Sequence, residues 1–308
     1  MEHRERAIRI CENGPFIRFF DKSALSQGRV PSHCRAFTLI ELLVVIVIIT
    51  LLTAIFLPAL RKTRRHTRAV LCRANLRQWG IVFSLYTEDN QGRFPGSGRD
   101  ALSLIRETTL RCEDVNEASV SYDVHTRDFA CCPTAVTPGK RDAFGTVREW
   151  SVGSFRIQGT SGSTFKAWEI TSPLPGFRGS YGINSWLLDQ NFDTSIPIRK
   201  RLPWRGLDIF SLRDRAYIPA LFDCESPLER FVEDLRPTLS NTGNGSCINR
   251  HKGYINGLFL DWSTKRIGLK ELWTLKWNGQ FNTENPWTLA GGVRPDDWPT
   301  WMRGFRDF

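Results

Sequence analysis

One carboxylate stands out because of its surroundings. Glu41 is the only charged residue of Phe37–Leu60, a stretch of 24 residues of which 17 are Leu, Ile, Val or Phe. An ionisable group inside such an apolar segment is costly and usually has a partner of opposite charge. A cut between Ala36 and Phe37 would create an α-ammonium group one helical turn from Glu41. We expect that cation to pair with Glu41 of a neighbouring copy of the chain.

These residues resemble the start of the prepilin family. A basic leader and a small residue precede Phe-Thr-Leu-Ile-Glu-Leu-Leu, which begins at Phe37. In that family a membrane aspartyl peptidase cuts before the Phe and methylates the new amine, and the Glu serves subunit addition. The resemblance implies cleavage between Ala36 and Phe37, N-methylation of Phe37 and an assembly role for Glu41. The chain departs from the family at Ala36, where Gly is usual.

The apolar stretch is long enough to cross a membrane. As a helix, Phe37–Leu60 would measure about 36 Å, against about 30 Å for the hydrocarbon core of a bilayer. Its apolar residues each contribute about −0.3 to −0.6 kcal/mol near the bilayer centre, which outweighs one carboxylate near the end of the span. A cleaved secretory signal has a shorter apolar centre. The sequence therefore predicts a single-pass membrane protein.

Charge alone does not orient this span. The formal net charge is +10, and basic residues flank the span on both sides, in the leader and in the segment Arg61–Arg68. Positive charge favours the cytoplasmic side, so the two flanks compete. The resemblance implies a bacterial inner-membrane protein with its leader in the cytoplasm and its head outside. Its partners would be the prepilin peptidase, other pseudopilin subunits, a secretion or assembly platform and membrane lipid. No nucleic-acid partner is expected.

An apolar stripe of helical period follows the span. Its members recur at steps of three or four residues: Ala69, Cys72, Leu76, Trp79, Phe83 and Tyr86. The pattern predicts one helix from Phe37 to about Glu88, whose second half buries one face against a sheet. The predicted fold class is α+β, a long N-terminal helix packed on an antiparallel β-sheet head, as in pilins.

The expected elements of the head follow from local patterns. Alternating and apolar runs predict four strands, the last two forming a hairpin: Gly179–Leu188, Ala216–Asp223, Tyr254–Asp261 and Thr264–Gly268. A short helix is predicted at Asp100–Leu110, helical spacing occurs at Leu269–Trp277, and Ser151–Ser163 is predicted to be a loop. The expected organisation is a leader (1–36), a membrane half-helix (37–60), a soluble half-helix (61–90), a pilin-like head (91–268) and a Trp-rich extension (269–308).

Separated stretches of the head resemble one branch of the pseudopilins. That branch carries a closing signature of His, nine residues and then Asp-Gly. Here His251 and Asp261 have this spacing, but Trp262 replaces the Gly. Glycine would supply the positive φ of a tight hairpin turn. We therefore expect a longer turn or a different turn type at Trp262.

Catalysis has weak support in the sequence. His251 offers a base and Asp223 or Asp261 an acid, but a hydrolase also needs a nucleophile held beside them. No Gly-x-Ser-x-Gly or His-Glu-x-x-His motif occurs. We predict no catalytic residue, and we expect His251 and Asp261 to shape the hairpin by hydrogen bonds. Some pseudopilin heads hold Ca²⁺, but no ordered set of Ca²⁺ ligands is visible here, so no cofactor is predicted.

Six cysteines follow the cleavage position: Cys72, Cys112, Cys131, Cys132, Cys224 and Cys247. Outside the cytoplasm disulfides become possible, and the predicted pairs are Cys112 with Cys131 or Cys132, and Cys224 with Cys247. Zinc is the rival hypothesis. No C-x2-C pair with matching His spacing occurs, so no metal site is predicted.

Two functions remain open from the sequence. The first is a structural, non-enzymatic pseudopilin subunit of a type II secretion-like pseudopilus or a type IV pilus-like filament. The second is a membrane-anchored extracytoplasmic module that binds polysaccharide or protein through aromatic side chains. Six of the eleven Trp lie between Trp262 and the C-terminus. They either pack against the sheet or form such a surface.

Overall fold

The computed structural model describes residues 39–95, 98–106, 126–139, 147–152, 155–173, 176–188, 208–237 and 248–308. Two compact units are present, the first ending at Ile55 and the second comprising Phe56–Phe308. The second unit includes both the predicted head and the predicted Trp-rich extension. The structure confirms the predicted α+β class, in which one long helix accompanies largely antiparallel sheets.

Helix α1 (Leu39–Asp89) confirms the long helix predicted from the sequence. Every residue from Leu39 to Arg68 is exposed. From Ala69 onward one face is buried, and it includes the predicted stripe, with Tyr86 half-buried. Gly80, Val82 and Thr87 are buried as well. A second helix, α2 (Gly98–Arg106), overlaps the helix predicted at Asp100–Leu110 and places Ala101, Leu104 and Ile105 in the core.

Two sheets form the head. The first is antiparallel in the order β1-β2-β3-β4, with β1 at Arg148–Val152, β2 at Phe155–Thr160, β3 at Trp168–Ser172 and β4 at Phe177–Gly179. The second has the order β7-β5-β6-β8-β9, with β5 at Tyr181–Asn184, β6 at Pro219–Asp223, β7 at Leu228–Glu229, β8 at Tyr254–Phe259 and β9 at Thr264–Gly268. Only β5 and β7 among these described pairs run parallel. The central strand, β6, is buried along its whole length.

The predicted hairpin β8–β9 is present, and its turn explains Trp262. The Trp262 amide donates to the Phe259 carbonyl, and the Phe259 amide donates to the Ser263 carbonyl. Trp262 has φ +62° and occupies the left-handed position that follows a type I turn in a three-residue hairpin loop, where Gly is preferred. Its ring stacks on Phe94 at 6.4 Å between centroids. The tryptophan therefore adopts the backbone conformation expected of the missing glycine and adds a core contact.

The loop predicted at Ser151–Ser163 is wrong, because most of this segment lies in β1 and β2. Ile157 is buried on one side of β2 while its neighbours Arg156 and Gln158 are exposed, so the strand alternation is real but short. Gly159 made the segment resemble a loop. A Cβ at Gly159 would lie 1.9 Å from the Glu169 carbonyl oxygen of β3, so this glycine permits a close approach between strands.

The helical spacing at Leu269–Trp277 also led to an incorrect prediction. Only Glu271–Thr274 forms a 3-10 turn, and Leu275 beyond it is extended. The spacing instead serves a second hydrophobic core, in which Phe231 contacts the rings of Trp273 and Trp277 at 5.1 and 4.8 Å. Trp298 is buried in the same core. The C-terminal region is thus an integral part of the head, held by aromatic packing.

Candidate functional site

The first candidate site is the start of α1. Glu41 lies in the first turn of the helix and is exposed, as are all the apolar residues around it from Leu39 to Leu60. The helix is long and apolar enough to cross a membrane by length and composition. The predicted processing residues, Ala36 and Phe37, lie outside the described residues. The predicted assembly role of Glu41 concerns a contact between subunits, and it stays a prediction.

The second candidate site is a buried polar cluster in the head. It consists of Cys72, Cys132, Asp223 and His251, and we call it the CCDH cluster. Cys72 lies on the buried face of α1, and Cys132 follows the 3-10 turn Thr126–Asp128. Asp223 ends the central strand β6, and His251 stands just before β8. Four segments far apart in the sequence therefore meet at one point in the interior.

Local backbone features position these side chains. The Cys132 amide donates to the Ser180 hydroxyl at 2.6 Å, which fixes the loop after the 3-10 turn. His251 begins a tight turn whose next residues, Lys252 and Gly253, have φ +58° and +92°. The Gly253 amide donates to the Asn249 side-chain oxygen at 2.6 Å. This turn directs the His251 ring inward, with 7% of the residue exposed.

The distances within the CCDH cluster are short. His251 Nε2 lies 3.5 Å from Cys132 Sγ and 3.1 Å from Asp223 Oδ2. Cys72 Sγ lies 3.5 Å from Asp223 Oδ1 and 3.6 Å from Oδ2. One donor atom from each of the four residues lies within 4.8 Å of every other. All four residues are buried.

Arg250 lies beside the cluster and donates hydrogen bonds to Asp223 and to nearby carbonyl groups. Its Nη1 donates to Asp223 Oδ1 at 2.9 Å and to the Ser180 carbonyl at 2.6 Å. Its remaining nitrogens reach three further carbonyl oxygens, those of Ser163, Thr164 and Cys224. The backbone amide of Asn256 donates to Asp223 Oδ2 at 2.9 Å. The buried guanidinium and carboxylate are therefore satisfied by fixed partners, as buried charges must be.

Electrostatics sets the protonation of these groups. Burial opposes the charge on Asp223, but the charges of Arg250 and His251 outweigh it and lower the pKa of the Asp223 carboxyl to about 2. Burial also opposes the charge on His251, but hydrogen bonding to Asp223 and its charge raise the pKa of His251 to about 9. Burial opposes a Cys132 thiolate, yet the hydrogen bonds from Cys72 and His251 lower the pKa of Cys132 to about 6. Burial, together with Cys132, raises the pKa of Cys72 well above its usual value.

The arrangement differs from a catalytic triad in one decisive respect. In a triad the orienting acid binds one ring nitrogen of the histidine and the nucleophile lies at the other. Here Cys132 and Asp223 both face the same atom, His251 Nε2. The thiol is also fully buried, so no substrate carbonyl could approach it. The donors converge on one point, which is the geometry of a ligand set.

Each predicted disulfide includes Cys112 or Cys247, and both of these residues lie outside the described residues, so the predicted pairs stay predictions. Among the described residues Cys131, Cys132 and Cys224 are free thiols. Cys132 contacts His251, and Cys224 Sγ lies 3.5 Å from Ser226 Oγ. Polar groups of the core thus lie beside both buried thiols.

The two residues of the His-x9-Asp spacing have separate surroundings. Asp261 shapes the hairpin as predicted, because its Oδ1 accepts the Ser263 amide at 3.0 Å and the Ser263 hydroxyl at 2.6 Å. The side chain of His251 belongs to the CCDH cluster instead. The expected role in the hairpin is therefore wrong for the His251 side chain, although its amide donates to the Tyr254 carbonyl at the start of β8.

Sequence reasoning missed the cluster and predicted no metal site. Its members are separated by 60, 91 and 28 residues, so no ligand spacing is visible. One local signal was available, namely an acid at the end of the apolar run Pro219–Asp223, since a buried carboxylate requires a partner. Cys72 was assigned only to the apolar stripe.

The C-terminal tryptophans differ in their exposure. Trp273, Trp277 and Trp298 are each at most 1% exposed, and Trp287 and Trp301 are half-buried against the second core. The three enclosed rings are not available to stack on a sugar or a partner protein. An aromatic binding surface would have to use the half-buried rings, and that alternative stays a prediction.

The comparisons with known proteins agree with the N-terminal site. Residues 31–57 match the family model described as the prokaryotic N-terminal methylation motif. The match and the exposed apolar helix are consistent with a membrane-anchored protein of the prepilin or pseudopilin type. No curated protein and no solved structure matches the chain significantly. The match covers the first part of the chain alone, so the function of the head rests on its own geometry.

Proposed function

We propose that this chain is a structural, non-enzymatic pseudopilin subunit. Its precursor would sit in the bacterial inner membrane with the leader in the cytoplasm and the head outside. A prepilin peptidase would cut between Ala36 and Phe37 and methylate Phe37. The mature subunit would then join a type II secretion-like pseudopilus or a type IV pilus-like filament. The observation that supports this most is the methylation motif at residues 31–57, together with a helix whose residues from Leu39 to Leu60 are all exposed.

Assembly follows from the exposed half of α1. Apolar residues such as Leu42, Ile48 and Ile55 are each at least half exposed. Lipid covers such a surface in the precursor, and neighbouring helices would cover it in the filament. The ammonium group of the cleaved Phe37 would be the partner of Glu41 on an adjacent subunit. A charge pair in such an apolar setting defines the register between subunits.

The experiment has two parts, and the first concerns processing. The mature protein is isolated from membranes and its N-terminus is determined by mass spectrometry. We expect a chain that starts at Phe37 and carries one N-terminal methyl group. Protease treatment of sealed inner-membrane vesicles should digest the head only when its extracytoplasmic side is accessible. A chain that keeps residues 1–36 in its assembled form would contradict the proposal.

The second part concerns assembly. Glu41→Gln removes the charge and keeps the shape. Glu88→Gln is the matched control on the same helix, where the exposed Glu88 carboxylate accepts the Ser84 hydroxyl at 3.2 Å. Removing one member of a charge pair in an apolar setting costs about 3 kcal/mol or more, which is a factor of roughly 100. We expect Glu41→Gln to reduce cross-linked oligomers by that factor while Glu88→Gln assembles normally. Equal assembly of both variants would exclude the role of Glu41.

A further inference from the structure

We propose that Cys72, Cys132, Asp223 and His251 form a structural zinc site that fastens helix α1 to the central sheet of the head. The four residues come from separate segments of the chain, and they do not form a recognisable ligand motif in the sequence. The proposal rests on the head alone, so it holds or fails independently of the assembly function.

The distances among the four donors match a tetrahedral site. With Zn–S bonds of about 2.3 Å and Zn–N and Zn–O bonds of about 2.1 Å, a sulfur lies about 3.6 Å from a nitrogen or an oxygen, and a nitrogen about 3.4 Å from an oxygen. The structure has 3.5 Å from Cys132 Sγ to His251 Nε2 and 3.6 Å from Cys72 Sγ to Asp223 Oδ2. His251 Nε2 lies 3.1 Å from Asp223 Oδ2. These contacts are three edges of the required tetrahedron, to within a few tenths of an ångström.

The orientation of each donor is suitable for one shared ion. Asp223 Oδ2 faces both His251 and Cys72, while Oδ1 is held by Arg250. His251 Nε2 faces both Cys132 and Asp223, so its lone pair would point to the centre once the nitrogen is deprotonated. The four atoms thus need no rearrangement of the backbone to share a central cation.

A supporting shell is already present. Metal-binding carboxylates and thiolates usually accept hydrogen bonds that fix their orientation. Arg250 and the Asn256 amide donate to the Asp223 carboxylate, and the Tyr181 hydroxyl lies 3.4 Å from Cys72 Sγ as a donor. The Ser180 hydroxyl holds the Cys132 amide. The His251 amide donates to the Tyr254 carbonyl, so every proposed ligand has a hydrogen bond that orients it or its backbone.

The charges balance when a divalent cation is bound. Two thiolates and one carboxylate carry three negative charges, and Arg250 beside them carries one positive charge. A divalent ion brings the sum to zero, which is what a buried site requires. Two thiolates with an imidazole and a carboxylate in a tetrahedron favour zinc over magnesium or calcium, which prefer oxygen ligands and higher coordination numbers. Binding would displace the protons of Cys72 and His251 into solvent.

His251 is the member of the cluster that lines a cavity. That cavity, of about 1000 Å³, is also lined by Arg250 and by basic residues of α1, including Lys62, Arg65 and Arg68. Asp223 and both cysteines are fully buried. Four protein ligands leave no open position, so the site is structural in kind.

Zinc content tests the proposal directly. The full chain is purified in detergent under reducing conditions, loaded with zinc, freed of weakly bound ions by gel filtration and analysed by elemental mass spectrometry. We expect about one zinc ion per wild-type chain and per Cys131→Ala chain, and loss of the ion in Cys132→Ala. Cys131 and Cys132 are adjacent, but Cys131 Sγ lies outside the cluster, which makes this pair a matched control.

A second measurement does not depend on a variant that folds. Cobalt added to the wild-type chain should give the visible absorption of a tetrahedral ion, with sulfur-to-cobalt charge transfer in the near ultraviolet. Zinc should then displace it and raise the melting temperature of the head. A wild-type chain that binds no stoichiometric zinc or cobalt when reduced overturns the proposal. A Cys72–Cys132 disulfide in the protein isolated from membranes, found by mass spectrometry of unreduced peptides, also overturns it.

Discussion

The two halves of helix α1 have opposite surroundings. From Leu39 to Leu60 its apolar side chains are exposed, whereas from Ala69 to Thr87 one face is buried in the head. The length and the apolar composition of the first half are properties of its own contiguous residues. The second half has its partners in distant segments of the same chain. Its Cys72 belongs to the apolar stripe and is also a proposed zinc ligand. The second role became visible only in the folded structure.

The comparison teaches where a charge can be placed. Glu41 stands among exposed apolar residues, and our proposal is that the ammonium group of Phe37 on an adjacent subunit pairs with it. Asp223 is buried in the core, where Arg250 and the backbone amide of Asn256 hold it. The proposed role of the first charge lies in assembly, whereas the second charge is satisfied when the chain folds. Three predictions follow from this contrast, in order of decreasing expected effect.

The largest effect concerns the buried pair. Arg250→Leu would leave Asp223 buried without its guanidinium partner, which costs about 3–5 kcal/mol of unfolding free energy. The control is Arg156→Leu, because Arg156 pairs with Glu149 at 2.7 Å while both side chains are largely exposed. Such an exposed pair contributes about 0–1 kcal/mol. Urea unfolding followed by tryptophan fluorescence measures both. Equal losses would show that burial of the Arg250 pair makes no difference.

The next prediction compares the two halves of α1 by introducing a lysine into each. Ile48→Lys places a charge near the middle of the exposed half and should weaken membrane insertion by about 3 kcal/mol, with the head unchanged. Leu76→Lys places it at a fully buried position and should unfold the head. Carbonate extraction measures anchoring, and fluorescence measures folding. Ile48→Ala is the control for size. An unfolded head in Ile48→Lys would contradict the separation.

The smallest effect concerns the turn at Trp262. Both Trp262→Gly and Trp262→Ala remove the ring that stacks on Phe94, but only Gly accepts φ +62° without strain. We expect the Gly variant to be more stable than the Ala variant by about 1 kcal/mol. Melting temperatures of the two variants, compared under one condition, isolate the backbone effect. A more stable Ala variant would mean that the turn changes when the tryptophan is removed.

Much of the fold was predictable because its signals are local. The stripe from Ala69 to Phe83 and the hairpin from Tyr254 to Gly268 follow their expected periods. The errors occurred where a local signal has two meanings. Gly159 suggested a loop, although it serves a close contact between strands. The spacing from Leu269 to Trp277 suggested a helix, although it fills a core.

The exposed half of α1 could be recognised without any structure, because an uninterrupted apolar run with a single acid does not depend on distant contacts. The methylation motif could be recognised in the same way, since its residues are contiguous. The tertiary structure alone decided the CCDH cluster and the burial of the tryptophans. Ligand geometry is a set of distances between atoms, and segments separated by 60, 91 and 28 residues acquire those distances only when the sheet and the helix pack together.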